Sequence, residues 1–272
     1  ALITLLWASE WQFGFKAKHS TVQAVYCLKN AVNFYTSKGS DVYCAFLDAS
    51  KAFDKLVHKG LFLKLLRRKF PKCFIDLVIS WYDGMYCRVR WENSYSQWFA
   101  ITAGVRQGGV LSPVFYSIYV DELIFRLKRL KIGCYINDIF LSILMYADDM
   151  AVLCPSIKGL QTLLNVVQEF CTEWDISLNA KKSKLVHFGK PCEKLSAVSL
   201  NSGNLEWVHQ WKYLGIDITV GPRFLCSIDD KLRGFYGCAN SIFRIDGQSR
   251  EMTLLQLIES HCLPILTYGI EV

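Results

Sequence analysis

The sequence predicts an α+β fold, in which amphipathic helices pack against a mainly antiparallel sheet. Helical segments and antiparallel strands are mixed along the chain, and this order suits that class. The chain has 272 residues, of which 52% are hydrophobic, so it can bury a large core and form two or three subdomains. This composition argues against disorder, and no repeat or linker is visible.

The predicted helices are segments in which apolar residues recur with helical spacing. The first follows Ser20, which caps an amphipathic segment containing Val25 and Leu28. Two breakers, Pro71 and Gly84, end the helices that precede them. The other predicted helices are residues 49–56, 56–70, 74–83, 111–130 and 158–174, and a helical tail from residue 228.

The predicted strands are short apolar runs bounded by turn residues. Residues 42–47 read as one buried strand, and residues 141–154 read as two buried strands joined by a tight turn. The other predicted strands are a hairpin of residues 86–91 and 97–102, and two short strands at 185–189 and 213–218.

Two adjacent carboxylates, Asp148 and Asp149, occupy the turn of the apolar hairpin at residues 141–154. Asp is an ordinary turn residue, so a solvated hairpin tip is one interpretation. The alternative is a pair of charges held on a rigid hairpin to bind a divalent metal. Carboxylate oxygens suit Mg²⁺, which takes one or two carboxylates together with substrate phosphates.

A third carboxylate, Asp48, ends the buried strand at residues 42–47 and can face the hairpin acids across a sheet. Asp48 could instead be a helix N-cap, a position that Asp fills well. Three such carboxylates could hold two metal ions about 3.5–4 Å apart, the arrangement that clamps both oxygens in phosphoryl transfer.

A glycine-rich segment, residues 104–113, precedes the predicted helix at 111–130. Its glycines allow a ligand to approach the backbone closely. Pro113 suits the first helical turn and Ser112 could cap it. Free N–H groups before a helix suit phosphate, although a plain glycine-rich loop explains this segment equally well in isolation.

The charge and cysteine patterns limit the classes of function. The net charge of +7 permits nucleic-acid binding, and basic runs at residues 55–72 and 181–184 could follow a phosphate backbone or be solvated surface. The 11 cysteines include no C-x-x-C pair, so neither a zinc site nor a secreted disulfide framework is supported. A reducing compartment fits best. No apolar run is long enough to span a membrane.

Taken in order, these motifs resemble the reverse transcriptases of non-LTR (LINE-type) retrotransposons. Seven blocks follow the family's order and cover nearly the whole chain from residue 12. The blocks are residues 12–21, 46–54, 104–113, 146–149, 178–184, 211–216 and 263–269.

The resemblance implies a right-hand polymerase core. It assigns residues 1–40 to partial fingers, 41–204 to an antiparallel-sheet palm with interleaved fingers elements, 205–227 to the primer-grip region, and 228–272 to a partial helical thumb. Few residues precede the first block and few follow the last, so we expect fingers and thumb to be incomplete.

The resemblance also implies the roles of the acids and of the nucleotide contacts. Asp48, Asp148 and Asp149 would be catalytic metal ligands, with Asp149 contributing less directly than Asp148. Phe53 matches the aromatic that leaves no room for a ribose 2′-hydroxyl, although a core Phe is the plain alternative. The remaining nucleotide-binding candidates are Gln107, Gly108 and Lys182.

Trp211, Tyr213, Leu214 and Gly215 fall in the block that would hold the primer end, although core packing also explains Leu214. The implied cofactor is Mg²⁺, two ions, for which Mn²⁺ could substitute. The implied partners are an RNA template, a DNA primer and deoxynucleoside triphosphates, in the nucleus or cytoplasm.

The function implied is that of an RNA-directed DNA polymerase. One alternative is the palm of an RNA-dependent RNA polymerase. Phe53 argues against it, because such an enzyme needs space for the ribose hydroxyl, and Ala147 stands where that class usually has Gly. A second alternative is a catalytically weak, nucleic-acid-binding fragment of the same family.

Overall fold

The computed structural model describes residues 9–50, 52–106, 108–192, 195–201, 203–245 and 251–272. Most helices lie where helical spacing predicts them, with ends shifted by a few residues. They are α1 Thr21–Ser37, α2 His58–Arg67, α3 Lys72–Tyr82, α4 Ser112–Arg129, α5 Ile157–Glu173, α6 Asp229–Ile245, α7 Glu251–Leu257 and α8 Leu263–Thr267, with a π-helical turn at Ile258–Cys262. None of these described helices is both long and apolar enough to cross a membrane.

The strands are mostly short and pair as hairpins around one larger sheet. They are β1 Val42–Asp48, β2 Tyr86–Cys87, β3 Arg90–Trp91, β4 Ser94–Tyr95, β5 Phe99–Ala100, β6 Tyr135–Ile136, β7 Ile139–Phe140, β8 Ile143–Tyr146, β9 Asp149–Cys154, β10 Lys184–Phe188, β11 Ser199–Leu200, β12 Gly203–Asn204, β13 Glu206–Trp207, β14 Gln210–Tyr213, β15 Ile216–Thr219 and β16 Leu225–Ser227.

The central sheet has the strand order β13-β10-β1-β9-β8 and is antiparallel except for the pair β10–β13. Its middle strand, β1, separates two hydrophobic cores. Ala45 and Leu47 pack into the core that contains α4 and α5, whereas Cys44 and Phe46 pack into the core that contains α1. Because successive strand residues face opposite sides, a strand buried on both faces is apolar throughout. This explains the run at residues 42–47.

The predicted cap of α1 is confirmed, and the predicted cap of α4 is wrong. The Ser20 Oγ accepts a hydrogen bond from the Gln23 N–H at 3.2 Å, and the Ser20 N–H donates to Gln23 Oε1 at 3.1 Å. At α4 the N-cap residue is Leu111, whose side chain forms no capping bond. The Ser112 hydroxyl instead donates to the Arg106 carbonyl at 2.6 Å, which fixes the glycine-rich loop.

The predicted helix at residues 49–56 is wrong for the residues described there, which are 49, 50 and 52–56, because tertiary pairing at the start of the segment keeps them out of a helix. Ala49 forms an antiparallel bridge with Leu178, and the Ser50 N–H donates to the Ser177 carbonyl at 2.8 Å. The single strand expected at 213–218 is instead the hairpin β14–β15. The predicted hairpin at 86–102 is confirmed with shorter strands.

Ion pairing with α4 takes up much of the basic run at residues 55–72. Lys64 is buried and pairs with Glu122, and its ammonium lies 3.6 Å from the Trp174 ring centroid. Arg68 pairs with the buried Asp121. The expectation that this run follows a phosphate backbone is therefore wrong for these two side chains, whose charges stabilise helix packing.

Candidate active site

The sheet register brings the three predicted acids to the same end of neighbouring strands. Asp48 ends β1 directly opposite Asp149, the first residue of β9. Residues directly opposite in an antiparallel pair have Cβ atoms about 4.5–5.5 Å apart on one face. Asp148 lies in the two-residue turn between β8 and β9, after Ala147 at a φ of 56°. Positive φ is uncommon outside glycine, so the surrounding structure must hold this turn in place.

An N-terminal segment holds the turn. The Phe13 N–H donates to the Met145 carbonyl at 2.8 Å, which places residues 11–13 along the edge of β8. The buried Gln12 accepts hydrogen bonds at Oε1 from the N–H groups of Gly14 and Ala147, both at 3.2 Å. A Cβ added at Gly14 would lie 2.5 Å from the Ala147 nitrogen. Only glycine therefore fits at this approach.

A second segment fixes the backbone of Asp48. Its N–H donates to the Ser183 Oγ at 3.2 Å, and its carbonyl accepts from the Asn179 N–H at 2.9 Å. The Ser183 hydroxyl in turn donates to the Asn179 carbonyl at 2.8 Å. Both the N–H and the carbonyl of Asp48 are therefore hydrogen-bonded to residues that precede β10.

Burial and neighbouring carboxylate charges raise the pKa values of Asp148 and Asp149. Burial first, and then the charges of Asp148 and Asp48, raise the pKa of Asp149 to about 6. Burial also raises the pKa of Asp148, with a further contribution from Asp48. Like charges held together disfavour ionisation, and a nearby cation would reverse this effect. The site therefore favours bound positive charge.

These residues fit hard divalent cations in their donor chemistry. All three side chains offer carboxylate oxygens, the ligands of Mg²⁺, and Asp149, although partly enclosed, remains open to solvent on one side. Among the described residues, no group of three or more His, Cys, Asp or Glu side chains forms a ready-made metal cluster. Mg²⁺ usually keeps several waters and binds substrate phosphates, so it does not require an all-protein cage.

Two of the acids, Asp48 and Asp149, line a cleft of about 370 Å³ that also contains lysines and the β14–β15 hairpin, whereas Asp148 is not part of its lining. Its walls include the predicted residue Lys182. The Lys184 ammonium, which also lines the cleft, is paired with Glu206 at 2.5 Å, so the basic cluster at 181–184 is only partly available. The other predicted residues that line this cleft are Asp48, Asp149, Trp211, Tyr213 and Leu214.

The turn of the β14–β15 hairpin is Leu214-Gly215, with φ angles of 47° and 78°. Positive φ at both central residues is typical of a type I′ turn, whose twist matches that of its strands. The Tyr268 hydroxyl donates to the Leu214 carbonyl at 2.8 Å and lies 2.7 Å from Thr21 Oγ1. The block at 263–269 therefore contacts both the hairpin turn and the start of α1.

Phe53 lies outside the lining of that cleft, in an aromatic stack. Its ring stacks on Tyr116 at a centroid distance of 4.7 Å, and Phe15 meets it edge-on at 6.2 Å. The Phe53 carbonyl accepts from the Val105 N–H at 2.8 Å, so the glycine-rich loop fixes its backbone. Tyr116 is buried, and the charges of Asp148 and Asp149 contribute, after burial, to a raised pKa of its phenol.

Gly108 has a φ of 81° and open space around its Cα, as a nucleotide-contacting glycine requires. Gln107 lies outside the described residues, so its predicted contact stays a prediction. The motifs did not reveal Gln12 as the residue that holds the turn, or Ser183 and Tyr116 as neighbours of the acids. For Gln12, the available signal in the sequence was the glycine two residues after it.

A model of the family "Reverse transcriptase (RNA-dependent DNA polymerase)" matches residues 3–218. The chain belongs to the reverse transcriptase family. The resemblance to non-LTR retrotransposon enzymes is confirmed, and the match favours a reverse transcriptase over an RNA-dependent RNA polymerase.

The chain is 31% identical over 213 residues to the RNA-directed DNA polymerase from mobile element jockey of Drosophila funebris, covering 76% of this chain and 23% of that protein. It is 30% identical to the probable RNA-directed DNA polymerase from transposon BS of Drosophila melanogaster, covering 96% of this chain and 30% of that protein. The chain thus spans less than a third of these relatives.

A telomerase from Candida tropicalis, solved in complex with a TWJ fragment of telomeric RNA, superposes with a TM-score of 0.56. The two are 14% identical, and the match covers 95% of this chain and 43% of that one. At this identity the likeness concerns the fold alone. It supports the predicted right-hand α+β architecture of this chain.

We expect Gly14→Ala to destabilise the protein by about 1–3 kcal/mol, because the new methyl group would force the 145–148 turn to shift. The control is Gly237→Ala in α6, where an added Cβ meets nothing within 4 Å. That change should stabilise by about 0.5–1 kcal/mol through helix propensity. Denaturant unfolding measures both, and equal effects would contradict the close packing at Gly14.

We expect Asp149→Asn to raise the melting temperature of the metal-free protein at neutral pH. The raised pKa of Asp149 means that its ionisation costs stability, and that this cost develops as the pH rises from about 4 to about 6. The gain should therefore vanish below about pH 4. Mg²⁺ should stabilise the wild type more than the variant.

Thermal melts against pH, with and without Mg²⁺, measure these effects. Asp138→Asn is the matched control, since Asp138 is exposed and does not line the cleft. A gain in melting temperature that does not depend on pH, or an equal gain for Asp138→Asn, would contradict the electrostatic origin of the effect.

Proposed function

We propose that this chain is the polymerase core of a LINE-type retrotransposon reverse transcriptase, which copies an RNA template onto a DNA primer. The observation that carries the proposal is the register pairing of Asp48 with Asp149 beside Asp148, at a lysine-containing cleft. Family membership supports the reaction class.

Asp48, Asp148 and Asp149 would hold two divalent cations, Mg²⁺ with Mn²⁺ as a substitute. When bound, such ions lower the pKa of the primer 3′-hydroxyl and neutralise charge on the triphosphate and the leaving pyrophosphate. The protein's own contribution is positioning. The Ala147 N–H bonded to Gln12 and the Asp48 N–H bonded to Ser183 fix the backbone that carries the acids.

The nucleotide-binding residues proposed are Phe53, Gln107, Gly108 and Lys182. Lys182 lines the cleft beside the acids, where its ammonium would steady or protonate the phosphates. Phe53 is held by Tyr116 behind it, so its ring would present a fixed wall to the sugar of the incoming nucleotide. A fixed wall discriminates better than a mobile one, because a 2′-hydroxyl could not displace it.

The primer-binding residues proposed are Trp211, Tyr213, Leu214 and Gly215. The first three line the same cleft as Asp48 and Asp149, and Gly215 completes the hairpin turn. An added Cβ at Gly215 would meet the Tyr268 ring at 3.1 Å, so the turn packs against the last helical segment. This packing would keep the hairpin at a constant distance from the carboxylates.

The subdomain limits proposed follow the same scheme. Residues 1–40 would belong to the fingers, 41–204 to the palm, 205–227 to the primer-grip region and 228–272 to the thumb. The compartment proposed is the nucleus or cytoplasm, where the RNA template and the triphosphates occur together.

We expect Asp148→Asn to lower single-nucleotide addition to an RNA–DNA primer–template at least about 10²-fold, because the site would have one charge fewer to hold the cations. Binding of the primer–template should change little. Asp138→Asn is the matched control and should retain full addition.

The measurement is incorporation in Mg²⁺ beside binding affinity. Undiminished addition by Asp148→Asn would contradict the assignment of this acid. Binding without addition by the wild type would favour the catalytically weak, nucleic-acid-binding fragment.

We expect Phe53→Val to raise ribonucleotide use relative to deoxynucleotide use, because the smaller side chain leaves room for the 2′-hydroxyl. It should also cost about 1–3 kcal/mol of stability, because the smaller side chain no longer stacks on Tyr116. Phe125→Val on α4, an exposed Phe, is the control and should change neither quantity. Unchanged sugar discrimination with lowered stability would mean that Phe53 serves only the core.

A further inference from the structure

The hairpin at residues 86–100 projects from the body of the molecule and carries an unusual surface. Every residue from 88 to 100 is exposed, although the segment is rich in aromatic residues. Large exposed apolar patches on a folded protein mark interaction sites more often than accidents. The exposed aromatic side chains are Tyr86, Trp91, Tyr95, Trp98 and Phe99, of which Trp91 is 76% exposed.

Arginines and aromatic rings alternate on one side of this hairpin. The Arg88 guanidinium lies 4.0 Å from the Tyr95 ring centroid and 4.8 Å from that of Trp98. Arg90, the register partner of Tyr95, lies 5.8 Å from the same ring. One extra residue in the second strand, between Tyr95 and Phe99, lets Trp98 reach Arg88. The result is a ladder of planar groups.

The charge of this ladder is not neutralised locally. Within the described part of the chain, neither Arg88 nor Arg90 forms an ion pair. The Arg90 Nε donates to the backbone carbonyl of Glu92 at 3.1 Å rather than to its carboxylate. The nearby acids are Glu92 at the tip and Asp83 at the base. Both guanidinium groups therefore remain available to phosphates.

The ladder is outside the cleft that holds the acids, since none of its residues lines that cleft. Its base adjoins the glycine-rich loop instead. The Ile101 N–H donates to the Met85 carbonyl at 2.8 Å, and Met85 Sδ lies 3.2 Å from Arg106 Nε. A groove at the base, of about 660 Å³, contains Tyr86 and Lys59.

We propose that the Arg88–Tyr95–Trp98 ladder is a second nucleic-acid site, which holds single-stranded RNA by stacking its bases on the rings while Arg88 and Arg90 contact phosphates. Every base has a face that stacks on aromatic or guanidinium planes, so such a site is tolerant of sequence. A duplex keeps its bases paired and cannot use these rings. The identity of the strand as RNA rests on the proposed function, because the unpaired nucleic acid there is the template.

The test measures binding of the full chain to three probes against salt: an unstructured oligouridine RNA, the oligothymidine DNA of equal length, and a blunt RNA–DNA hybrid. The variants are Trp98→Ala and Arg88→Gln, and the matched control is Trp91→Ala. Trp91 belongs to the same hairpin and is more exposed, but its ring is not among those on which Arg88 and Arg90 stack in the described residues.

Trp98→Ala should weaken oligouridine binding about tenfold, the effect expected for one stacked base. Arg88→Gln should also lower the slope of log affinity against log salt by about 0.7 for each phosphate that the guanidinium neutralises in the wild type. Arg88→Lys should recover the slope but not the stacking, and Trp98→Phe should recover most of the affinity. If Arg88→Lys and Trp98→Phe recover these quantities, the first two variants removed a single interaction and did not unfold the hairpin. Trp91→Ala and blunt-hybrid binding should be unchanged.

Unchanged oligouridine binding by both variants would overturn the proposal, and the exposed hairpin surface would then favour a protein partner. Equal effects on the blunt hybrid would overturn it too, because the variants would then be acting on the cleft. Tighter binding of oligothymidine than of oligouridine would overturn the assignment to RNA. The proposed polymerase activity fails separately, by absent nucleotide addition in the wild type, which none of these binding measurements uses.

Discussion

The antiparallel register between β1 and β9 is the constraint on which the site depends. It places Asp48 opposite Asp149, although these residues are far apart in sequence, and it leaves Asp148 at the adjacent turn. Like charges at this spacing oppose folding, and the surrounding sheet supplies the stability that tolerates them. A rigid sheet with apolar cores on both faces is suited to this task, since it can hold repelling groups without moving.

The elements around the acids share one feature, which is that their hydrogen bonds fix the backbone rather than the carboxylates. Gln12 holds the Ala147 N–H, and Ser183 accepts from the Asp48 N–H. Neither contact uses a carboxylate oxygen, so these oxygens stay available for cations. Phe53 is fixed in a similar way, because its ring stacks on the buried Tyr116. Preorganisation of this type needs long-range contacts from several parts of the chain.

Patterns local in sequence were sufficient to predict most elements and to predict that Asp48 faces the hairpin acids across the sheet. An apolar run ended by Asp48, and an apolar hairpin interrupted by two acids, follow directly from strand chemistry. The failures arose where distant partners override local preference. Residues 49–56 favour a helix, yet pairing with residues 177–178 keeps them out of one. Lys64 suggested a phosphate contact because Glu122 is distant in sequence and adjacent only in the folded chain. The hairpin at Leu214-Gly215 carries no stronger turn signal than one glycine.

The division of β1 between two cores limits the kind of genetic change this strand can accept. Replacing one apolar side chain by another alters a single contact in one core. Inserting or deleting one residue would turn every later side chain to the opposite face, exchanging Cys44 and Phe46 with Ala45 and Leu47 and rotating Asp48 away from Asp149. Variation in related chains should therefore be free in side-chain identity here but fixed in length, whereas loops at the rim can grow or shrink.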